Sequence, residues 1–179
     1  LQYHDKTIHS NLKPSSDLAA TIFNLAEDTR IEKIGSNKFF GVKKNLQKLI
    51  EKKFETNLIA PPGSDDTTSF VNAMHLYLRK KLSEAPIPEN SKKTMSLWEP
   101  WLEKRVGKFI SDLSKNINNQ ELFGKKINNL LTALKSELGE LDDKNNESDD
   151  DSDEEGSDEE NSDDQNNTCL LYTSDAADE

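Results

Sequence analysis

The chain has 179 residues, 32% hydrophobic and 32% charged, with a formal net charge of −11. That length admits one domain with a real core plus a tail. No apolar run approaches the roughly 20 residues that a membrane span needs, and the lone cysteine, Cys169, excludes an internal disulfide or a thiolate metal cluster in this sequence. The net charge hides a partition: residues 1–139 hold 22 Lys+Arg against 16 Asp+Glu (+6), whereas residues 140–168 hold one Lys against 15 acids (−14). A mildly basic domain, 1–139, is expected to carry a strongly acidic linker, 140–168. The chain shows no basic-then-apolar leader, but it starts at Leu1 without an initiator Met, which leaves a removed leader or an incomplete amino terminus open; the expected location is cytoplasmic.

Residues 1–15 carry His4, Asp5 and His9 and end near Pro14. A metal or proton-transfer site is one reading of this trio, because imidazole and carboxylate ligate divalent ions. The preferred reading is a short helix or turn packed on the domain, since no third histidine or carboxylate cluster is evident beside them. Ser15-Ser16-Asp17 is a helix start, with side-chain oxygens able to accept orphan backbone N–H groups. Ala19, Ile22, Phe23, Ala26 and Arg30 then recur at helical spacing, and the helix is predicted to stop at about Ile34. Glu27, Asp28 and Lys33 are assigned to its exposed side. Gly35-Ser36-Asn37 is predicted as the turn, Gly35 being suited to a left-handed helix end.

A second helix is predicted from about residue 37 or 38 to Thr56, with Val42, Leu46, Leu49, Ile50 and Phe54 inward and Lys43, Lys44, Lys48, Lys52 and Lys53 outward. The pair reads as an antiparallel helical hairpin. Arg30 and Glu32 are two apart, so they do not share a helix face and each must find a partner elsewhere. Pro61-Pro62-Gly63 breaks the pattern, and Ser64 to Thr68 restarts it. Phe70, Val71, Met74, Tyr77, Leu78 and Leu82 mark a third helix, with His75 at the edge of the buried stripe. Ala85-Pro86-Ile87-Pro88 reads as an extended connector. Trp98 and Trp101 flank Pro100, which starts or kinks the next helix; both tryptophans are read first as core anchors and second as a partner interface. A last helix runs from Leu122 through Leu138 to Gly139. No alternating β-branched run occurs, and the predicted fold is all-α with five or six helices.

Residues 140–167 nearly lack hydrophobic side chains and are expected to be a disordered linker. Their serines, Ser148, Ser152, Ser157 and Ser162, sit among acids, a weak phosphorylation signal, and no spacing matches a defined calcium loop. Residues 169–179 restore apolar side chains abruptly and resemble the translation of a transposase sequencing adapter; they are set aside from functional reasoning.

Arg30-Ile31-Glu32-Lys33-Ile34-Gly35-Ser36-Asn37 followed by Gly41-Val42-Lys43-Lys44-Asn45-Leu46 resembles the amino-terminal region of the CobT subunits of aerobic cobaltochelatase. His4-Asp5, His9 and Leu97-Trp98-Glu99-Pro100-Trp101 extend the resemblance across residues 1–140. The resemblance implies a subunit that works with an AAA+ ATPase partner (CobS) and a large chelatase subunit (CobN), in an oligomeric assembly, to insert cobalt into the corrin ring with ATP and magnesium. It also implies a carboxyl-terminal von Willebrand A-type domain with a metal-ion-dependent adhesion motif, which is missing from this sequence. The chain has no Gly-rich phosphate loop ending in Lys-Ser or Lys-Thr, so ATP and corrin are assigned to the partners and no cofactor to this chain. Arg30, Glu32, Gly35, Gly41, Asn45, Trp98 and Trp101 are the expected structural or interface residues, and no catalytic residue is assigned. The alternative is a stand-alone acidic-tailed module that binds basic proteins or nucleic acid electrostatically; the basic helix lacks interleaved aromatics, which argues against nucleic acid.

Overall fold

The computed structural model describes residues 3–64 and 66–134. Among them stand six α-helices and no strand: α1 (Lys6–Leu12), α2 (Asp17–Lys38), α3 (Phe40–Thr56), α4 (Thr67–Ser83), α5 (Lys92–Lys115) and α6 (Gln120–Ala133), with a single 3-10 turn at Glu89–Ser91. The acidic linker, the end of the last predicted helix at Leu138 and Gly139, and residues 169–179 lie outside the described residues.

The helix starts follow capping chemistry. Asp5, Ser16, Asp66 and Asn119 each stand just ahead of a helix and accept a hydrogen bond from a backbone N–H of its first turn. The ends are less regular. α4 stops where Glu84 takes a left-handed conformation, φ 54°, and Pro86 and Pro88 then keep the chain from resuming a helix. α5 runs straight through Pro100, which therefore neither starts nor ends it. Pro100 and Ser96, whose carbonyl loses a donor, are both exposed, so solvent can serve that carbonyl.

The predicted turn at Gly35-Ser36-Asn37 is displaced. α2 continues through all three residues, Gly63 is the described glycine with positive φ, and the break falls at Phe39, φ −130°. Phe39 is the one residue between α2 and α3. Nor does packing require a glycine at position 35: a Cβ on Gly35 would lie 4.0 Å from Val42 Cγ1 of α3, an ordinary contact. The inward set of α3 is narrower than its periodicity suggests, with Ile50 and Phe54 buried while Val42 and Leu49 are exposed.

The core is organised on α4, which packs against both α2 and α5. Every residue from Asn72 to Arg79 is buried, so α4 is covered on all its faces, and His75, expected at the edge of the stripe, is only 6% exposed. Trp98 is buried and donates its indole N–H to Ala60 O at 2.8 Å, tying α5 to the Pro-rich loop before α4. Trp101, half-buried, meets Trp98 edge-on at 5.6 Å between centroids and carries the Arg105 guanidinium 3.8 Å above its ring. Trp98 is thus part of the core, and Trp101 packs against it half-buried at the rim.

α6 closes the other side of α2, packing on α1, α2 and α5. Gly124 makes this possible: a Cβ there would meet Leu12 Cδ1 at 2.8 Å and Phe23 Cζ at 3.4 Å. Gly124→Leu is expected to lower the unfolding free energy by about 1–3 kcal/mol in a urea titration, because overpacking pushes α6 off α1 and α2. Gly41→Ala is the opposite case. Gly41 is exposed in α3 with nothing within 4 Å of an added Cβ, so the better helix former should raise stability by up to about 1 kcal/mol.

Candidate functional site

Arg30 is the largest fully buried side chain, 1% exposed. A guanidinium does not lose its proton in proteins, so the fold must supply an anion. Helical geometry does so: Glu27 lies one turn earlier on α2 and is buried as well, although the sequence pattern assigned it to the exposed side. Arg30 Nε donates to Glu27 Oε2 at 2.8 Å, and Nη2 donates to Oε1 at 2.8 Å. The remaining donors leave the helix: Nη1 donates to Ile117 O at 3.1 Å, and Nη2 donates to Tyr3 O. Arg30 so joins the amino-terminal segment, α2 and the α5–α6 turn. Burial alone would raise the Glu27 carboxyl pKa; the hydrogen bonds and charges of Arg30 and His4 outweigh it and hold the pKa below the ordinary value.

The three amino-terminal candidates part company here. Asp5 is a helix cap, accepting from Thr7 N and Ile8 N at 2.8 and 3.1 Å. Its backbone is clamped by Gln120, which accepts from Asp5 N at 2.7 Å and donates to Asp5 O at 3.0 Å. His4 and His9 instead turn to α2. His4 Nδ1 lies 3.0 Å from Glu27 Oε1, His9 Nε2 lies 3.0 Å from Asn24 Oδ1, and the two rings are 4.9 Å apart. The carboxylate that converges with the histidines is therefore Glu27, not Asp5. Sequence inspection missed it because 18 residues separate Glu27 from His9, and only the tertiary fold, which lays the His4 and His9 side chains against α2, brings them together.

Glu32 finds its partner 47 residues away, where Arg79 Nε of α4 donates to Oε2 at 2.9 Å. Arg79 is 4% exposed, and its Nη1 is buried without an acceptor. These two residues line a cleft of about 370 Å³ between α2, α3 and the end of α4, together with Lys33, Asn37, Lys43 and Lys44. On α3 and at its start, outside the cleft lining, Phe39, Val42 and Leu49 are 63%, 37% and 62% exposed. Asn45 and Gly41 are exposed on the same helix.

The chemistry on view is binding chemistry: a buried ionic network that fixes the helices, and an open face that mixes lysines with apolar side chains. The described residues make an all-α helical unit. The family model for cobalamin biosynthesis protein CobT matches residues 1–179, and the chain belongs to the CobT family. Membership makes it a protein of cobalamin biosynthesis and part of a cobaltochelatase. No solved structure matches the chain, and no helix of the described residues is long and apolar enough to cross a membrane.

Removing one member of the buried pair strands the other charge, so Arg30→Ala is expected to cost about 3–5 kcal/mol in urea unfolding. A second expectation concerns acid. Burial, reinforced by Lys53 and Arg79, lowers the His75 pKa to about 3. The unfolded chain takes up that proton near pH 6.5 and the native state does not, so His75 costs stability as pH falls below 6.5. Between pH 6 and 4, His75→Leu should reduce the slope of unfolding free energy against pH by up to about 1.4 kcal/mol per unit.

Proposed function

We propose that the helical unit is a non-catalytic docking and assembly region of a CobT subunit, supporting the ATP-dependent insertion of cobalt into hydrogenobyrinic acid a,c-diamide. Its partners on this reading are the AAA+ ATPase subunit, CobS, and the large chelatase subunit, CobN. ATP, magnesium and the corrin are handled by those partners, while this chain supplies binding energy and placement.

One observation carries the reading: the open face of α3 beside the Arg79 cleft. Phe39, Val42, Leu46 and Leu49 recur at helical spacing, and three of the four remain exposed although α2 packs against the same helix. A stripe of exposed apolar side chains rimmed by Lys43, Lys44 and Lys48 is the composition of a protein interface, with an apolar centre and a charged border. The lysines favour a partner with acidic groups around its own apolar patch, and charge of this kind sets the rate of encounter. The Glu32–Arg79 pair holds α4 to α2 at the cleft and keeps the face in one shape.

The test is a pull-down of the AAA+ subunit with Leu49→Asp combined with Lys43→Glu and Lys44→Glu. All three positions are solvent-exposed, so the melting temperature should hold. Retention of the partner should fall by about tenfold or more, the loss of a central contact of a binding patch. Full retention, together with unchanged cobalt insertion by the reconstituted complex, would remove α3 from the interface.

A further inference from the structure

The amino-terminal imidazoles have a use that the ionic network does not explain. His9 Nε2 faces Asn24 Oδ1 at 3.0 Å. An amide oxygen only accepts, so Nε2 carries the ring proton and Nδ1 holds a free lone pair. That Nδ1 is buried and has no hydrogen-bond partner. A buried lone pair left unmet is costly. Beside it stand the second imidazole, His4, and the Glu27 carboxylate, and one ligand atom from each of the three residues lies within 4.8 Å of the others.

We propose that His4, His9 and Glu27 form a binding site for a divalent first-row transition-metal ion of the cobalt, nickel and zinc class. Two imidazoles and one carboxylate suit these ions, whereas calcium and magnesium prefer all-oxygen shells. The spacing agrees. Two ligands that each stand about 2.0–2.1 Å from a shared ion lie about 3–3.4 Å apart, and His4 Nδ1 and Glu27 Oε1 are 3.0 Å apart. The ligand atoms of the trio, His9 included, lie within 4.8 Å of one another, and His9 closes on the ion as it binds. The ion takes the place of the proton that His4 and Glu27 share.

The supporting groups are already in place. Asn24 fixes the ring orientation of His9, and Arg30 fixes Glu27, as the outer partners of metal ligands do. A carboxylate has about four acceptor positions, so Glu27 can keep both Arg30 bonds while it ligates. Arg30 places a positive charge near the ion. Against it stand the carboxylates of Glu27 and Asp28, the latter close enough to His4 and His9 to interact with both. The His4 side chain is 19% exposed, which gives the ion a route in. Because His4 and His9 bracket the start of α1 and Glu27 sits on α2, a bound ion staples these two helices.

Cobalt(II) chloride titrated into the whole chain tests the site, read by absorbance, calorimetry and imidazole nitrogen NMR. The chain has three histidines, so buried His75 is an internal control. One saturable cobalt ion, absorption bands of a nitrogen-ligated ion, a raised melting temperature and shifts of His4 and His9 but not His75 are expected. His9→Gln keeps an amide N–H for Asn24, and it should weaken binding by about 10–100-fold, as does His4→Gln. Absence of saturable binding overturns the proposal. So does binding that both variants leave unchanged with no shift of His4 or His9, which would put the ion on the acidic residues 140–168. The NMR readout on the unaltered chain decides the matter even where a variant folds poorly.

Discussion

A guanidinium that is almost wholly out of water sets the terms for this fold. Arg30 cannot shed its charge, and every donor it turns inward must find an acceptor or cost several kcal/mol. Two go to Glu27, one helical turn away. Two more go to carbonyls of Tyr3 and Ile117, which are distant in sequence and lie outside the helices. The ring of Phe123 completes the surround at 6.0 Å. One side chain thereby ties the segment at Tyr3 and the turn between α5 and α6 to α2.

The dependence is sharpest for α1. This seven-residue helix buries no residue fully, so hydrophobic burial contributes little to holding it. Polar tethers do the work instead: Gln120 on the Asp5 backbone, His4 on Glu27, His9 on Asn24, and Asn128 donating to Leu12 O at 2.9 Å. Each partner lies on α2 or α6, the two helices that the Arg30 network draws together. His4 meets the Glu27 carboxylate that the same network holds in place.

A second ionic pair, Glu32 with Arg79, plays a matching part between α2 and α4. It differs in one respect. The Arg30 nitrogens are all engaged, whereas Arg79 keeps one buried nitrogen unmatched beside a cleft. The first pair closes a structure and the second leaves it open on one side. Along α2 the chain passes from groups spent on its own fold to groups offered outward, toward α3 with its exposed lysines and apolar stripe.

Much of this was legible in the residues themselves. The all-α class follows from periodicity, the helix starts from Asp5, Ser16, Asp66 and Asn119, and the break after α4 from paired prolines. Arg30 and Glu32 could be recognised as unable to satisfy each other, because residues two apart point to different sides of a helix. The family, too, was carried by short ordered motifs. What one dimension could not supply was any fact that depends on two distant segments meeting. Gly35 reads as a stop, yet α2 runs on through it to Lys38. Glu27 reads as surface, yet it is buried, with Arg30 and His4 of the amino-terminal segment closed against it. Gly124 looks like an incidental glycine until Leu12 and Phe23 are found against it. Local sequence determined which segments are helical and which charges needed partners; only the packing of helices decided who the partners are, because burial and proximity arise between segments and not within them.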